Sequence, residues 1–179
     1  RVGLCGGILL TELSYPVLTV ITFLPLVGAL IILLLRNVAQ IKWLALVTTI
    51  ATFIASLPVY KHFDKTTHLM QFVETHSWIP AWNINYQVGI DGISVLFLLL
   101  TAILSILCVT VSWNAIQIKT KEFYISLLIM ETAMMGIFVS LNVFLFYLFW
   151  ELTLIPMFLL IGIWGGPKRV YAAVKFIIF

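Results

Sequence analysis

Between Phe123 and Pro167 the chain carries only two charged side chains, Glu131 and Glu151. Everything else in that stretch is apolar or small and polar. A carboxylate at the middle of a membrane costs about 2.5–3.5 kcal/mol on insertion scales, so a glutamate kept there has a reason to be there. The chemistry it offers is proton carriage. Removal from water favours the protonated form, and a lysine brought close favours the ionised form. A site held between the two states can load and release a proton. The alternative for each glutamate is a protonated structural side chain, hydrogen-bonded across a helix pair. Pro156 follows Glu151 closely and lacks an N–H, so it frees the carbonyl of Leu152 beside the carboxyl group. Water could bind there, or the proline could simply bend the helix.

Other residues offer less. In Gly89-Ile90-Asp91-Gly92-Ile93-Ser94, Asp91 is placed to cap a helix and to sit at the positive end of its dipole. His62, His68 and His76 are irregularly spaced among polar neighbours, a poor pattern for a metal site. Cys5 and Cys108 are far apart, and the second lies in an apolar run, which points to neither a disulfide nor a metal. No phosphate-binding glycine loop, haem or iron–sulfur ligand set, or paired nucleophile and base is found. The reading is therefore no cofactor and no metal in this chain.

These residues are positioned by elements that only a membrane accommodates. The chain is 63% hydrophobic and 9% charged, with mean hydropathy +1.15. A soluble domain is nearer half apolar and a quarter charged. The net charge of +3 is too small and too scattered to form a nucleic-acid face. A bilayer core needs about 20 helical residues. Charge-free runs at 16–35, 43–60 and 92–114 supply three spans. The stretch after Lys121 would run roughly 67 Å as a single helix, more than twice the bilayer. It must turn once, and Ser140-Leu141-Asn142 is the polar break. That gives spans at 123–140 and 143–164, ended by Gly165-Gly166-Pro167. A sixth run starts at 170. Lys61 to Tyr86 reads as a polar loop, and 1–14 as a poorly defined amino-terminal segment. Membrane β-barrel strands would be half as long and would alternate, so the fold class is all-α, a polytopic transmembrane helical bundle.

The loops then set orientation. Arg36, Lys42, Lys119, Lys121, Lys168, Arg169 and Lys175 fall on one side, and Arg1, Lys61 and Lys65 on the other. The positive-inside rule places the first group inside and the amino terminus outside. Trp43, Trp78, Trp82, Trp113 and Trp164 fall near the water boundaries, where an indole is favoured. Trp150 lies within the fifth span beside Glu151.

Phe149-Trp150-Glu151-Leu152-Thr153-Leu154-Ile155-Pro156-Met157, continuing to Ile163-Trp164-Gly165-Gly166, resembles the fifth helix of a known family. That family is the antiporter-like membrane chains of proton-pumping NADH–quinone oxidoreductase, respiratory complex I, of the chain M or mitochondrial chain 4 type. Val88-Gly89-Ile90-Asp91-Gly92-Ile93-Ser94 resembles the start of its third helix. Phe23-Leu24-Pro25-Leu26-Val27-Gly28-Ala29 resembles its first, and Tyr171-Ala172-Ala173-Val174-Lys175-Phe176 the start of its sixth. The likeness runs in order from about residue 16 to the end.

The resemblance implies a role. Such chains carry protons in the membrane arm, driven by electron transfer elsewhere in the complex. Their functional glutamate maps onto Glu151; Glu131 has no assigned counterpart and is a possible second site. The family pairs that glutamate with a lysine on a seventh helix, which this sequence does not include. The resemblance thus implies an amino-terminal fragment of a protein of roughly fourteen helices built from inverted repeats. Flavin and iron–sulfur clusters would belong to other subunits. The partners implied are neighbouring membrane subunits, the lipid bilayer and protons, in a bacterial inner membrane or a mitochondrial inner membrane. Two rival readings remain: a subunit of a standalone sodium/proton antiporter, and a purely structural membrane scaffold in which Glu151 does no chemistry.

Overall fold

A computed structural model describes residues 4–5, 8–9, 16–64, 66, 69–79 and 84–178. Five helices are long and apolar enough to cross a membrane: α1 (Val17–Leu34), α2 (Val38–Lys61), α3 (Gly92–Ala115), α4 (Thr120–Val139) and α5 (Val143–Trp164). The chain is an integral membrane protein. A shorter helix, α6 (Arg169–Ile178), begins the sixth run.

Three of the helices start where a short polar side chain satisfies a free N–H. Asn37 accepts from Ala39 at the start of α2, and Asn142 from Phe144 at the start of α5. Asp91 accepts from Ser94 at the start of α3. The turn before α4 instead uses Lys119 in the left-handed region, at φ 50°. The second helix begins at Val38 rather than near Trp43, so Lys42 lies inside it. Its ammonium group reaches across to the Trp113 carbonyl at the end of α3.

α4 is the axis of the bundle. It packs against α1, α2, α3 and α5 and is the most buried of the five spans. α5 is the least buried and lies at the edge. Buried apolar side chains form two layers. One includes Leu18, Ile21, Leu98, Met135, Val139 and Phe149. The other includes Ile32, Ile41, Ala45, Val109, Tyr124 and Leu128, toward the lysine-bearing side.

The segment expected to be a polar loop between α2 and α3 departs from that reading. It contains an antiparallel hairpin, β3 (Met70–Ile79) and β4 (Ile84–Ile90). The all-α fold class holds for the bundle, with this hairpin added at the end opposite the Lys119–Lys121 turn. β4 reads Ile84-Asn85-Tyr86-Gln87-Val88-Gly89-Ile90, an apolar–polar alternation with the period of a half-buried strand. Phe72 sits in the left-handed region, at φ 54°, where the β3–β4 register shifts between Gln71 and Glu74. Phe72, Val88 and Ile90 are buried in the first apolar layer, so the hairpin closes the bundle on that side. Of residues 1–14, the structure describes two short strands, β1 (Leu4–Cys5) and β2 (Ile8–Leu9), which extend the sheet in the order β1-β2-β3-β4. The remainder of that segment lies outside the described residues.

Candidate functional site

The two glutamates occupy adjacent helices but opposite environments. Glu131, near the middle of α4, is 2% exposed. Neither carboxyl oxygen has a hydrogen-bond partner among the described residues. The Ser105 hydroxyl of α3 is directed at it without closing a bond of ordinary geometry. Other buried hydroxyls of the bundle are spent on their own helices. Thr132 donates to the Leu128 carbonyl, Thr22 to Leu18, and Thr52 to Thr48.

Glu151 lies on the exposed side of α5 and points away from the five-helix core. Tyr147, one turn earlier, sets its hydroxyl beside the Glu151 carboxylate. Val143, Tyr147, Trp150 and Ile155 share the exposure of this helix. The structure therefore does not bring Glu131 and Glu151 together. Pro156 is buried within α5, where its missing N–H leaves the Leu152 carbonyl without its usual partner in the helix.

Asp91 is the N-cap of α3, and its carboxylate accepts from Ser94 N at 2.6 Å. The Ser94 backbone N–H holds this carboxyl below the usual aspartate range. His62 and His76 are apart: the His62 ring contacts the Pro58 carbonyl, and the His76 ring lies against Tyr86. His68 falls outside the described residues.

One functional candidate was not singled out from the sequence. Tyr124, on α4, is fully buried and its hydroxyl has no partner among the described residues. It precedes Glu131 by roughly two turns, or about 10 Å along the axis, on the same helix face. The spacing was visible in the sequence; the burial of the hydroxyl was not.

Comparison with known proteins places this architecture. A family model described as NADH:quinone oxidoreductase/Mrp antiporter, TM, matches residues 140–179, the segment holding Glu151. NADH-quinone oxidoreductase subunit M of Rhodobacter capsulatus is 44% identical over 168 residues, covering 90% of this chain and 32% of that protein. NAD(P)H-quinone oxidoreductase chain 4 1 of Synechococcus elongatus is 40% identical over 175 residues, covering 95% of this chain and 32% of that protein. The chain is similar to the subunit M/chain 4 proteins of NADH–quinone oxidoreductase over nearly all of its own length. In respiratory complex I from Thermus thermophilus, one chain superposes with a TM-score of 0.75 at 25% identity, covering 90% of this chain and 32% of that one. The fold agrees with the family. The present chain spans about a third of the length of the curated relatives it matches. Subunit M relatives favour the respiratory reading over a standalone antiporter, although the family model spans both.

Proposed function

We propose that this chain is part of a proton-translocating subunit M of NADH–quinone oxidoreductase, and that Glu151 is its proton carrier. The observation that carries the reading is the position of Glu151, at the middle of a membrane span and on the open side of α5. A carboxyl group there cannot face lipid without a cost of about 2.5–3.5 kcal/mol. Further membrane helices of the same protein would cover this face and supply a cationic partner, as the family resemblance implies. The chemistry is then simple. With the cation near, the carboxylate is ionised and its proton has left. With the cation withdrawn, the carboxylate takes a proton and becomes neutral. Tyr147, whose hydroxyl stands beside the carboxylate, can hold it in place during both steps.

The redox groups that drive the process would reside in other subunits, and the lateral partners would be neighbouring membrane subunits. The setting is a bacterial inner membrane, or the mitochondrial inner membrane for an organellar protein. The test is Glu151→Gln in the full-length protein within its assembled complex. Gln keeps the size and much of the hydrogen bonding but cannot release a proton. Vesicle acidification and coupled NADH–quinone turnover should fall sharply while assembly is retained. Normal pumping by an assembled Glu151→Gln complex would refute the assignment and favour the scaffold reading.

A further inference from the structure

Two side chains of α4 have buried polar atoms without partners among the described residues: the Tyr124 hydroxyl and the Glu131 carboxyl. They lie on one face of one helix, roughly two turns apart. Buried polar groups are ordinarily satisfied, and an orphaned one costs about 1–3 kcal/mol. Three orphaned atoms in line along one helix call for small polar molecules between them. Water is the molecule that fits, because it both donates and accepts.

The surroundings give this line a direction. Beyond Glu131 toward the hairpin, α4 presents Met135 and Val139, both fully buried among apolar side chains that include Leu98, Phe72, Val88 and Ile90. That end is sealed. In the other direction Tyr124 lies one turn from Thr120, close to Lys119 just before the helix and Lys121 in its first turn. The Ser105 hydroxyl, on α3, adds a further polar group at the Glu131 end. Charge is scarce around the line. α1, α3 and β4 carry no charged side chain, α2 carries only Lys42 and Lys61 near its ends, and Glu151 of α5 faces outward. On α4 itself, Lys121 and Glu122 lie at the first turn. Among the described residues no ion pair locks Glu131 in the charged state.

We propose that the Tyr124–Glu131 face of α4 is a hydrated proton route between Glu131 and the lysine-bearing, inner side of the membrane, closed toward the hairpin. A proton enters from inner-side water, and Tyr124 accepts it on its oxygen while passing its own hydroxyl proton inward. A bridging water carries the transfer on to a Glu131 carboxyl oxygen. The exchange therefore begins with Glu131 in its neutral form losing its proton to the inner side along the same chain in reverse, and the uptake step then returns a proton to the emptied carboxylate. The route deepens the proton-translocation reading and rests on it. It gives the protein an access path that does not pass through Glu151.

The experiment uses the full-length protein in its complex, in sealed vesicles. The first arm follows the infrared stretch of the protonated carboxyl, assigned by its loss in Glu131→Gln. On transfer to D2O this band should shift, and in Tyr124→Phe the shift should be slower by at least about tenfold. A missing band, a band that does not exchange, or equal rates in the two proteins would overturn the route. The second arm needs no tyrosine variant. With Cys5, Cys108 and any further cysteines of the full-length protein replaced by alanine, the thiol of Glu131→Cys is exposed to silver ion, a small thiol-reactive cation, from each side in turn, and its modification is read on this subunit. Reaction should be at least about tenfold faster from the Lys119–Lys121 side. Equal or faster reaction from the hairpin side would overturn the direction. Neither readout depends on pumping. If Glu151→Gln abolishes pumping while Glu131 fails both arms, the route falls and the reading of Glu151 stands.

Discussion

The carboxylate of Glu74, on the extramembrane hairpin, accepts the backbone N–H of Leu18 at 2.8 Å, fifty-six residues earlier in the chain. It also accepts from Thr19 N at 3.1 Å and from the Thr19 hydroxyl. α1 needs this help, because Pro16 occupies its N-cap and offers no side-chain acceptor. The hairpin therefore supplies from outside what the local sequence lacks, and places a negative charge at the positive end of the helix dipole. Tyr86, across the hairpin, contacts the Thr19 hydroxyl at 3.0 Å. Burial pushes its phenol up from the ordinary range, so it remains a neutral donor or acceptor at physiological pH.

Glu74→Ala should leave two N–H groups of α1 unpaired and loosen the hairpin from the bundle. Hydrogen bonds to a charged group contribute about 1.5–3 kcal/mol each at most, so a loss of a few kcal/mol is expected. Glu74→Gln keeps one acceptor and should lose less. Limited proteolysis across residues 61–91 and the thermal midpoint of the purified complex report both effects. Equal resistance of Glu74→Ala and the parent would show that the cap is dispensable.

The other end of α1 is served in the same way. Lys121 Nζ donates to the Leu33 carbonyl at 2.7 Å and to the Leu35 carbonyl at 2.9 Å. It thereby ties the start of α4 to the end of α1, with its charge at the negative end of that helix dipole. Lys121→Ala should destabilise by about 1 kcal/mol, and Lys121→Arg should retain most of the effect. The difference should shrink with added salt, because the group is only half-buried. A salt-independent loss would assign the effect to packing of the side-chain stem instead.

Asp91 carries a pH dependence with a defined sign. Its carboxyl is held below the usual range by the Ser94 N–H in the folded state. The stabilisation is therefore fully present above the unfolded value of about 3.9 and is lost as the pH falls through the lower, folded value. Asp91→Ala should lower the thermal midpoint at neutral pH by the equivalent of about 1 kcal/mol. Asp91→Asn, still a good N-cap, should lose less. The gap between Asp91 and Asp91→Ala should narrow only once the pH drops below about 3.9. A gap that closes nearer pH 6 would point to a different group.

The spans were legible because charge-free length is a direct consequence of the bilayer, and α1, α3, α4 and α5 start close to the first apolar residues after each polar break. The start of α2 was placed late because Lys42 reads as a boundary; in the fold its long stem lets the ammonium reach the Trp113 carbonyl from within the helix. The hairpin was missed because His76, Ser77 and Asn85 give the segment the composition of a loop, although the alternation in β4 was there to be read. For the site, the two glutamates stood out by cost alone. Which of them faces the core did not, since both helices are apolar on every side and periodicity cannot tell a packed face from a lipid-facing one.

The spacing between the two glutamate-bearing helices depends on Gly136. A Cβ built there would overlap the ring of Phe149, which is itself buried and closes the contact between α4 and α5. Gly136 follows Glu131 by little more than a turn, and Phe149 precedes Glu151 by two positions, so this contact sets how the two carboxyl groups are held apart. Gly136→Ala gains about 1 kcal/mol of helix propensity but must displace the body of an aromatic ring, an overpacking cost of about 1–3 kcal/mol. The net expectation is a modest loss of stability and a displaced α5, with reduced proton translocation in the full-length protein. Gly136→Leu should be much worse. Phe149→Leu removes the obstructing ring, so the double variant Gly136→Ala/Phe149→Leu should be more stable than the sum of the two single losses allows. A double-mutant cycle on the thermal unfolding of the complex measures that coupling, with a favourable interaction of about 0.5–3 kcal/mol expected for residues in contact. Strict additivity would mean that α5 accommodates the extra methyl group by moving elsewhere, and that Gly136 does not set its position.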